Sequence, residues 1–286
     1  MNGGFILFNK KRYGSLLLVG VITASLLAGC GSSSDKTASS STPAKTAQDT
    51  IKVAVDATFP PFEFRKDGKS QGFDIDMIEA IAKKENLKVQ FSTVPFTGII
   101  PALQAKSIDA AVAGMTIKKS RLNAVDFSNA YYLSGISVLT KKDSSFKSLD
   151  DLKSKLIATK KGTSSVDLLK AKGIPESNIK QYDNINDAYS ALVSGGAAAV
   201  VFDSPVNQDY ANGHDDVHAI QSIPTGEYYG IPVVKNNPEL LKKINDGLKA
   251  IKEDGQYQKL FDKYFGGDQS GLVKEDLAPD KAALDE

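Results

Sequence analysis

Four short polar clusters in this sequence could do chemistry. The first is Asp56, followed by Phe59 and the turn Pro60-Pro61-Phe62. The second is Gly114-Met115-Thr116, with Arg121 a turn further on. The third is Lys160-Lys161-Gly162-Thr163-Ser164-Ser165, and the fourth is Asp203. Together they offer two acids, two cations, hydroxyls and backbone N–H groups at expected helix starts. A carboxylate is matched by a guanidinium and by helix-start N–H donors. An ammonium is matched by a carboxylate and a carbonyl oxygen. The set therefore suits a small zwitterion, with Phe59 and Phe96 to wall its side chain from water. Each residue alone has a plainer reading. Asp203, ahead of Ser204-Pro205, is a ready helix N-cap; Arg121 reads as a surface pairing residue and Phe59 as core. Their joint placement is what argues for a site.

Other motifs reduce to structure. Asp74 and Asp76 fall at an expected helix start, where acids cap N–H groups and favour the dipole. His214 and His218 have the i, i+4 spacing of a two-histidine metal site. They follow Asn212-Gly213 with no third ligand, so a solvated loop is expected. Gly68-Lys69-Ser70 lacks the upstream glycine of a phosphate loop, Glu63 standing there. Lys141-Lys142 and the group Lys147, Lys153 and Lys155 read as a solvated face. The 160–165 segment has serines but no histidine base, which disfavours a Ser–His nucleophile.

The elements that must position the clusters alternate between strand and helix. Strands are expected at Ile51–Val55, Leu87–Phe91, Ala110–Ala113, Ile136–Thr140, Leu156–Thr159, Ala197–Phe202 and Tyr229–Val234. Helical periods cover Asp74–Lys84, Thr97–Gln104, a short stretch from about Lys118, Ser165–Lys172, Asn186–Ser194, Pro238–Asp254 and Gly255–Phe265. Ile75, Ile78, Ile81 and Ala82 share one face of the first, and Leu240, Ile244, Leu248 and Ile251 one face of the long one. Gly195-Gly196 is a C-terminal stop, and Pro205 sits where a helix can start. This alternation indicates an α/β chain with mostly parallel pairing. Ligands of open α/β sheets bind beyond the carboxyl ends of strands, where the four clusters lie. The segment from Gly266 is polar and acidic at its end and is expected to be loosely held.

The 286 residues, 41% apolar and 24% charged, allow one large domain or two lobes. Residues 1–29 hold three charges, all basic; the rest carries 32 basic and 34 acidic side chains, a formal net of −2. That balance argues against a dedicated nucleic-acid binder. A single cysteine permits no intrachain disulfide or thiolate cluster, and two histidines leave little for a metal site. Neither a metal nor a cofactor is implied. Lys10-Lys11-Arg12 precede a short apolar run ending in Leu27-Ala28-Gly29-Cys30. The run is too short to span a membrane comfortably and fits a cleaved export signal over residues 1–29. The last four residues resemble the lipobox of bacterial lipoproteins, which implies diacylation of Cys30 and a membrane anchor that does not span. Residues 30–49 lack an apolar face and read as a flexible tether of roughly 25 Å reach.

The body resembles the polar amino-acid branch of the bacterial extracellular solute-binding proteins, family 3, which serve ABC importers. The resemblance covers about residues 51–266. It is carried by VDATFPPFEF (55–64), GFDID (72–76), FTGIIPALQAKSIDAAVAGMTI (96–117), Arg121, DFSNAYYLSG (126–135), KKGTSS (160–165) and FDSP (202–205). It implies a two-lobed, type II periplasmic-binding-protein-like "flytrap", each lobe a mostly parallel sheet flanked by helices. Lobe one would be residues 51–131 plus 230–266, lobe two residues 135–226, and a polar tail 267–286. Two hinge crossings would lie near Tyr131–Gly135 and Glu227–Gly230, with Tyr131-Tyr132 as hinge packing. The resemblance further implies a non-enzyme, a monomer, exported and lipid-anchored at the outer face of the cell membrane, that delivers an amino acid to ABC permease subunits.

Carried over by position, Arg121 pairs with the ligand α-carboxylate, helped by Thr116 and the Ser164 N–H. Asp203 and the Gly114 carbonyl hold the ammonium, Ala113 lines the pocket, and Phe59 and Phe96 sandwich the side chain. Asp56 and Lys160 face its terminus, as in glutamine-binding members, which favours L-glutamine. Phe202 departs from the histidine those members carry before the aspartate, which leaves cystine or another neutral polar amino acid open. An enzyme on the same scaffold, such as a cyclohexadienyl dehydratase, and an amino-acid sensor are the alternatives. The first would need an acid–base pair at a substrate hydroxyl, and the second usually continues into a transmembrane helix and a signalling domain.

Overall fold

The computed structural model describes residues 48–285. The expected export signal, Cys30 and all but the last two residues of the tether lie outside them. The strands are β1 (Asp49–Val55), β2 (Thr58–Phe59), β3 (Glu63–Lys66), β4 (Lys69–Gln71), β5 (Leu87–Thr93), β6 (Ala110–Ala111), β7 (Asp126–Phe127), β8 (Tyr132–Lys141), β9 (Ile157–Lys160), β10 (Ile179–Tyr182), β11 (Ala199–Asp203), β12 (Val217–Tyr229) and β13 (Pro232–Val233). The helices are α1 (Phe73–Lys84), α2 (Phe96–Gln104), α3 (Lys119–Leu122), α4 (Ser164–Ala171), α5 (Ile185–Val193), α6 (Ser204–Asn212), α7 (Pro238–Glu253), α8 (Gln256–Phe265) and α9 (Pro279–Ala282).

Two five-stranded sheets carry the architecture. In the first, ordered β5-β1-β6-β13-β7, β1 runs parallel to β5 and β6, while β13 is antiparallel to β6 and β7. In the second, ordered β10-β9-β11-β8-β12, β9 runs parallel to β10 and β11, while β8 is antiparallel to β11 and β12. A small antiparallel sheet, β2-β3-β4, accompanies them and was not expected from the sequence.

Alternate residues of the central strands face opposite layers, as the two-residue strand period requires. Val53 and Val55 of β1 pack with Ile78 and Ile81 of α1 and with Ile244 and Leu248 of α7. Ala54, between them, faces Ile99 and Leu103 of α2. In the second sheet Val200 and Phe202 meet Ile185, Ala188 and Leu192 of α5, while Val201 meets Leu169 of α4. Each large aliphatic side chain so buried contributes about 1.5–3 kcal/mol relative to exposure. α7 starts as its sequence suggests: Asn237 accepts from the Leu240 N–H at 3.2 Å, and Pro238 occupies the first turn.

β8 is longer than the run Ile136–Thr140 that hinted at it, β12 was not expected, and of the strand expected over Tyr229–Val234 only β13 and the end of β12 form. β8 and β12 pair from Lys141–Val217 to Tyr132–Tyr229, with register shifts between Ala219 and Gln221 and between Ile223 and Glu227. The second irregularity spans Pro224 and Gly226. Tyr229 then bridges to Thr116, beside the first sheet. The loop expected around the histidines is also shorter. His218 lies in β12 opposite Thr140, and the ring of His214 stacks on Tyr210 at 3.8 Å. Among the described residues no cluster of His, Cys, Asp or Glu could hold a metal, and no helix is long and apolar enough to cross a membrane.

The tail departs from expectation. Leu272 bridges to Tyr132 and Leu284 to Lys118. The Leu133 N–H donates to the Gly271 carbonyl at 2.9 Å and the Ala130 N–H to Leu277 at 2.8 Å. Val273 and Ala282 are buried. The segment after Gly266 is therefore packed along the start of β8, its few apolar residues supplying the anchors.

Candidate ligand-binding site

The strand ends named above converge on one small cavity. Its lining comprises Phe59, Phe96, Ala113, Gly114, Thr116, Arg121, Lys160, Thr163, Ser164, Phe202 and Asp203, around a cavity volume of ≈ 10 Å³. That is about the space a single water needs. Of the ten ligand-binding residues expected from the sequence, nine line it. The tenth, Asp56, stands behind Lys160 as its ion-pair partner.

Asp56 follows β1 and Lys160 ends β9, so their pair joins the two sheets. Both are almost fully buried, at 6% and 1% exposure. The Thr58 hydroxyl, which sequence reasoning missed, donates to Asp56 Oδ2 at 2.9 Å and accepts from Lys160 Nζ at 3.0 Å. Phe96, first residue of α2, lies under two cations: Arg121 Cζ is 5.5 Å and Lys160 Nζ 5.9 Å from its centroid. Phe59 packs edge-on against Phe202 at 5.6 Å. Phe202, the departure from the glutamine pattern, is thus a wall of the cavity.

Arg121 is held by backbone oxygens. Nη1 donates to the Thr116 carbonyl at 2.7 Å and Nη2 to the Gly162 carbonyl at 3.0 Å. Gly162 belongs to the turn that starts α4, so the guanidinium also links the two sheets. Ser164 opens α4, where backbone N–H groups favour an anion. Lys118, ahead of α3, forms an ion pair with Asp167 of α4.

Asp203 stands at the N-cap of α6 but makes no capping bond there. Its Oδ2 accepts from the Tyr229 hydroxyl, which lies 2.9 Å from Ser134 Oγ. Its Oδ1 is buried without a hydrogen-bond partner among the described residues. Burial, then the neighbouring charge of Glu227, hold Asp203 above the usual carboxylate range. An acceptor in that setting suits a cationic donor. Glu227, on β12, is a second residue that sequence reasoning missed. Its Oε2 accepts from Thr116 Oγ1 at 3.2 Å and from Ser164 Oγ at 2.8 Å. Motif reading follows strand ends, and Glu227 sits on a crossing strand instead.

Asp74 is not a helix cap. Gly72 holds the N-cap position of α1, with φ 133°. A Cβ on Gly72 would lie 2.0 Å from the Phe62 carbonyl oxygen, so only glycine fits that close approach. Asp74 Oδ2 accepts from the Gly114 N–H at 3.0 Å and from the Tyr131 hydroxyl at 2.9 Å. It thereby fixes the Gly114 peptide, which has φ 49° and packs on Phe59. Asp76 accepts instead from Lys263 Nζ and Tyr264 OH, each at 2.7 Å. Glu63 is fully buried beside Asp74, and burial raises its carboxyl well above the usual range.

Burial likewise raises Asp74 to about 6 from 3.8. The folded protein therefore holds this proton more tightly than the unfolded chain. The contribution of Asp74 to stability declines as pH rises from about 4 to about 6, by about 3 kcal/mol, and is flat above. Asp74→Asn keeps an acceptor for Gly114 and Tyr131 without the charge. The variant is expected to be at least as stable as wild type at pH 7 and to lose this decline, read by urea unfolding across pH 4–7. An unchanged pH profile would place the titration elsewhere.

Comparison with known proteins gives three findings. The profile of "Bacterial extracellular solute-binding proteins, family 3" matches residues 51–267. The chain is 34% identical over 281 residues to the ABC transporter glutamine-binding protein GlnH of Bacillus subtilis (strain 168), covering 94% of this chain and 99% of that protein. It also superposes on solved structures of an ancestral arginine-binding protein, one bound to arginine and one to glutamine. Each has a TM-score of 0.72 and 43% identity, over 77% of this chain and 99% of theirs.

Proposed function

The chain belongs to the bacterial extracellular solute-binding proteins, family 3, with their two-lobed type II fold, and on that premise we propose that it captures a polar amino acid outside the cell and hands it to an ABC permease. One observation carries this reading: Arg121 and Asp203, from the ends of different sheets, line one small cavity. Arg121, Thr116 and the start of α4 take the α-carboxylate. Asp203 and the Gly114 carbonyl take the α-ammonium. Phe59, Phe96, Ala113 and Phe202 enclose the side chain. Residues 51–131 with 230–266 act as one lobe and 135–226 as the other, hinged where β8 and β12 pass between the sheets. Ligand contacts to both lobes favour the closed arrangement that a permease recognises. Cys30 carries the lipid that keeps the monomer at the outer face of the membrane, and the chain is not an enzyme.

L-Glutamine is the ligand we favour. The Asp56–Lys160 pair presents an acceptor and a donor, which an amide matches at both ends. Lys160 disfavours a cationic side chain, and Asp56 an anionic one. The full chain, in mild detergent and refolded to strip carried ligand, is to be titrated calorimetrically with the twenty L-amino acids and cystine. Micromolar binding, about −8.2 kcal/mol, is expected for glutamine, with arginine and lysine silent. Preference for cystine or another neutral amino acid would keep the transport role and reassign the pocket. Silence towards all of them would remove the reading.

A further inference from the structure

We propose that Glu227 takes up a proton when the carboxylate of an amino acid enters the cavity, because its side chain already holds Thr116 and Ser164, the two residues that such a carboxylate meets beside Arg121. The inference rests on the amino-acid reading above. Glu227 is only 1% exposed. Its Oε2 accepts from Thr116 Oγ1, beside the first sheet, and from Ser164 Oγ, at the start of α4. Thr116 is assigned to the ligand carboxylate, and Ser164 is the residue whose N–H is assigned to it as well. Glu227 is therefore a tethered carboxylate on the anion side of the site, reached from β12 and touching both lobes.

Its charged surroundings come from several elements. Lys118, ahead of α3, is the cation that favours its ionised form, and is itself ion-paired with Asp167 of α4. Asp203, at the end of β11, and Tyr229, on β12 with Glu227, both feel its negative charge. Arg121 lines the same cavity. Burial already holds Glu227 above the usual range for a glutamate.

Two carboxylates held at the same two residues repel, and one of them is driven to hold a proton. An α-carboxyl is the stronger acid, with a reference value of about 3.3–3.7 against about 4.3 for glutamate. The ligand also has Arg121. The proton therefore goes to Glu227, whose O–H then donates where a charge repelled. One proton is drawn from solvent per ligand bound, and no covalent bond to carbon changes. Asp203 works in the opposite sense, since an incoming ammonium favours its ionised form. The two contributions must be separated by a change at Glu227 alone.

The test uses the full chain in mild detergent and L-glutamine. Titration at one pH in two buffers of different ionisation enthalpy counts the protons exchanged. Wild type is expected to take up close to one proton more per ligand than Glu227→Gln. As pH rises above neutral its affinity should fall, relative to the variant, by up to about tenfold per pH unit. Equal proton counts in two chains that both bind would overturn the proposal while leaving the amino-acid site intact. Absence of binding in wild type would instead overturn the functional reading, and this inference with it. Should Glu227→Gln not fold, the infrared difference spectrum of wild type decides. A protonated-carboxyl band that shifts on glutamate-selective ¹³C labelling must appear on glutamine binding, and its absence overturns the proposal.

Discussion

Arg121→Ala is expected to weaken amino-acid binding by about two to three orders of magnitude, since truncating one partner of a buried charge pair costs about 2–5 kcal/mol. Arg121 is 9% exposed, and its guanidinium is oriented in advance by the Thr116 and Gly162 carbonyls. A ligand carboxylate would therefore meet donors whose ordering cost was met on folding. Lysine does not replace it, because a single ammonium cannot hold two carbonyls and a carboxylate in one plane. Arg121→Lys is accordingly expected to lose most of the same affinity. The measurement is calorimetric titration with the preferred amino acid, beside a thermal melt to confirm that each variant folds. Equal affinity in wild type and Arg121→Ala would mean the carboxylate binds elsewhere.

Lys160→Met should change which amino acid is bound. Lys160 and Asp56 are buried, and they come from different sheets. Removing one partner of a buried pair leaves an uncompensated charge, at a cost of about 3–5 kcal/mol. Here the cost is avoidable, because parting the lobes returns Asp56 to water. The penalty is thus expected on closure, with the melting temperature little changed. Binding of a neutral amino acid should weaken by about 10²-fold or more, the affinity equivalent of ~3 kcal/mol. A cationic side chain would replace the missing ammonium, so arginine should gain against glutamine by a similar factor. Adding Asp56→Asn should restore the neutral ligand and abolish the gain for arginine. Competition titrations of the two single variants and the double form the cycle that isolates the pair. Unchanged selectivity in Lys160→Met would make the pair a structural link between the lobes, without a part in recognition.

Much of the scaffold was legible before any coordinates because it is local. β1 reads from its run of β-branched residues, and α1 and α7 from aliphatic residues three and four apart, all of which are buried. Asp56, Gly114, Lys160 and Asp203 could be named because polar residues that directly follow apolar strands must emerge at sheet ends. Other features depend on segments far apart in the chain. Nothing near Glu227 announces its partners, which lie 111 and 63 residues away. Asp74 sits where acids cap helices, and its bonds to Gly114 and Tyr131 reach 40 and 57 residues along the chain. The tail looked unanchored because its apolar residues are few and scattered, and only the edge of β8 gives Leu272 a place. Sequence alone therefore determined the elements and the chemistry at their ends, since propensity, periodicity and charge act between near neighbours. Tertiary structure alone decided which hydroxyls Glu227 holds, which tyrosine meets which acid and what the tail covers, since those contacts exist only once distant segments are brought together.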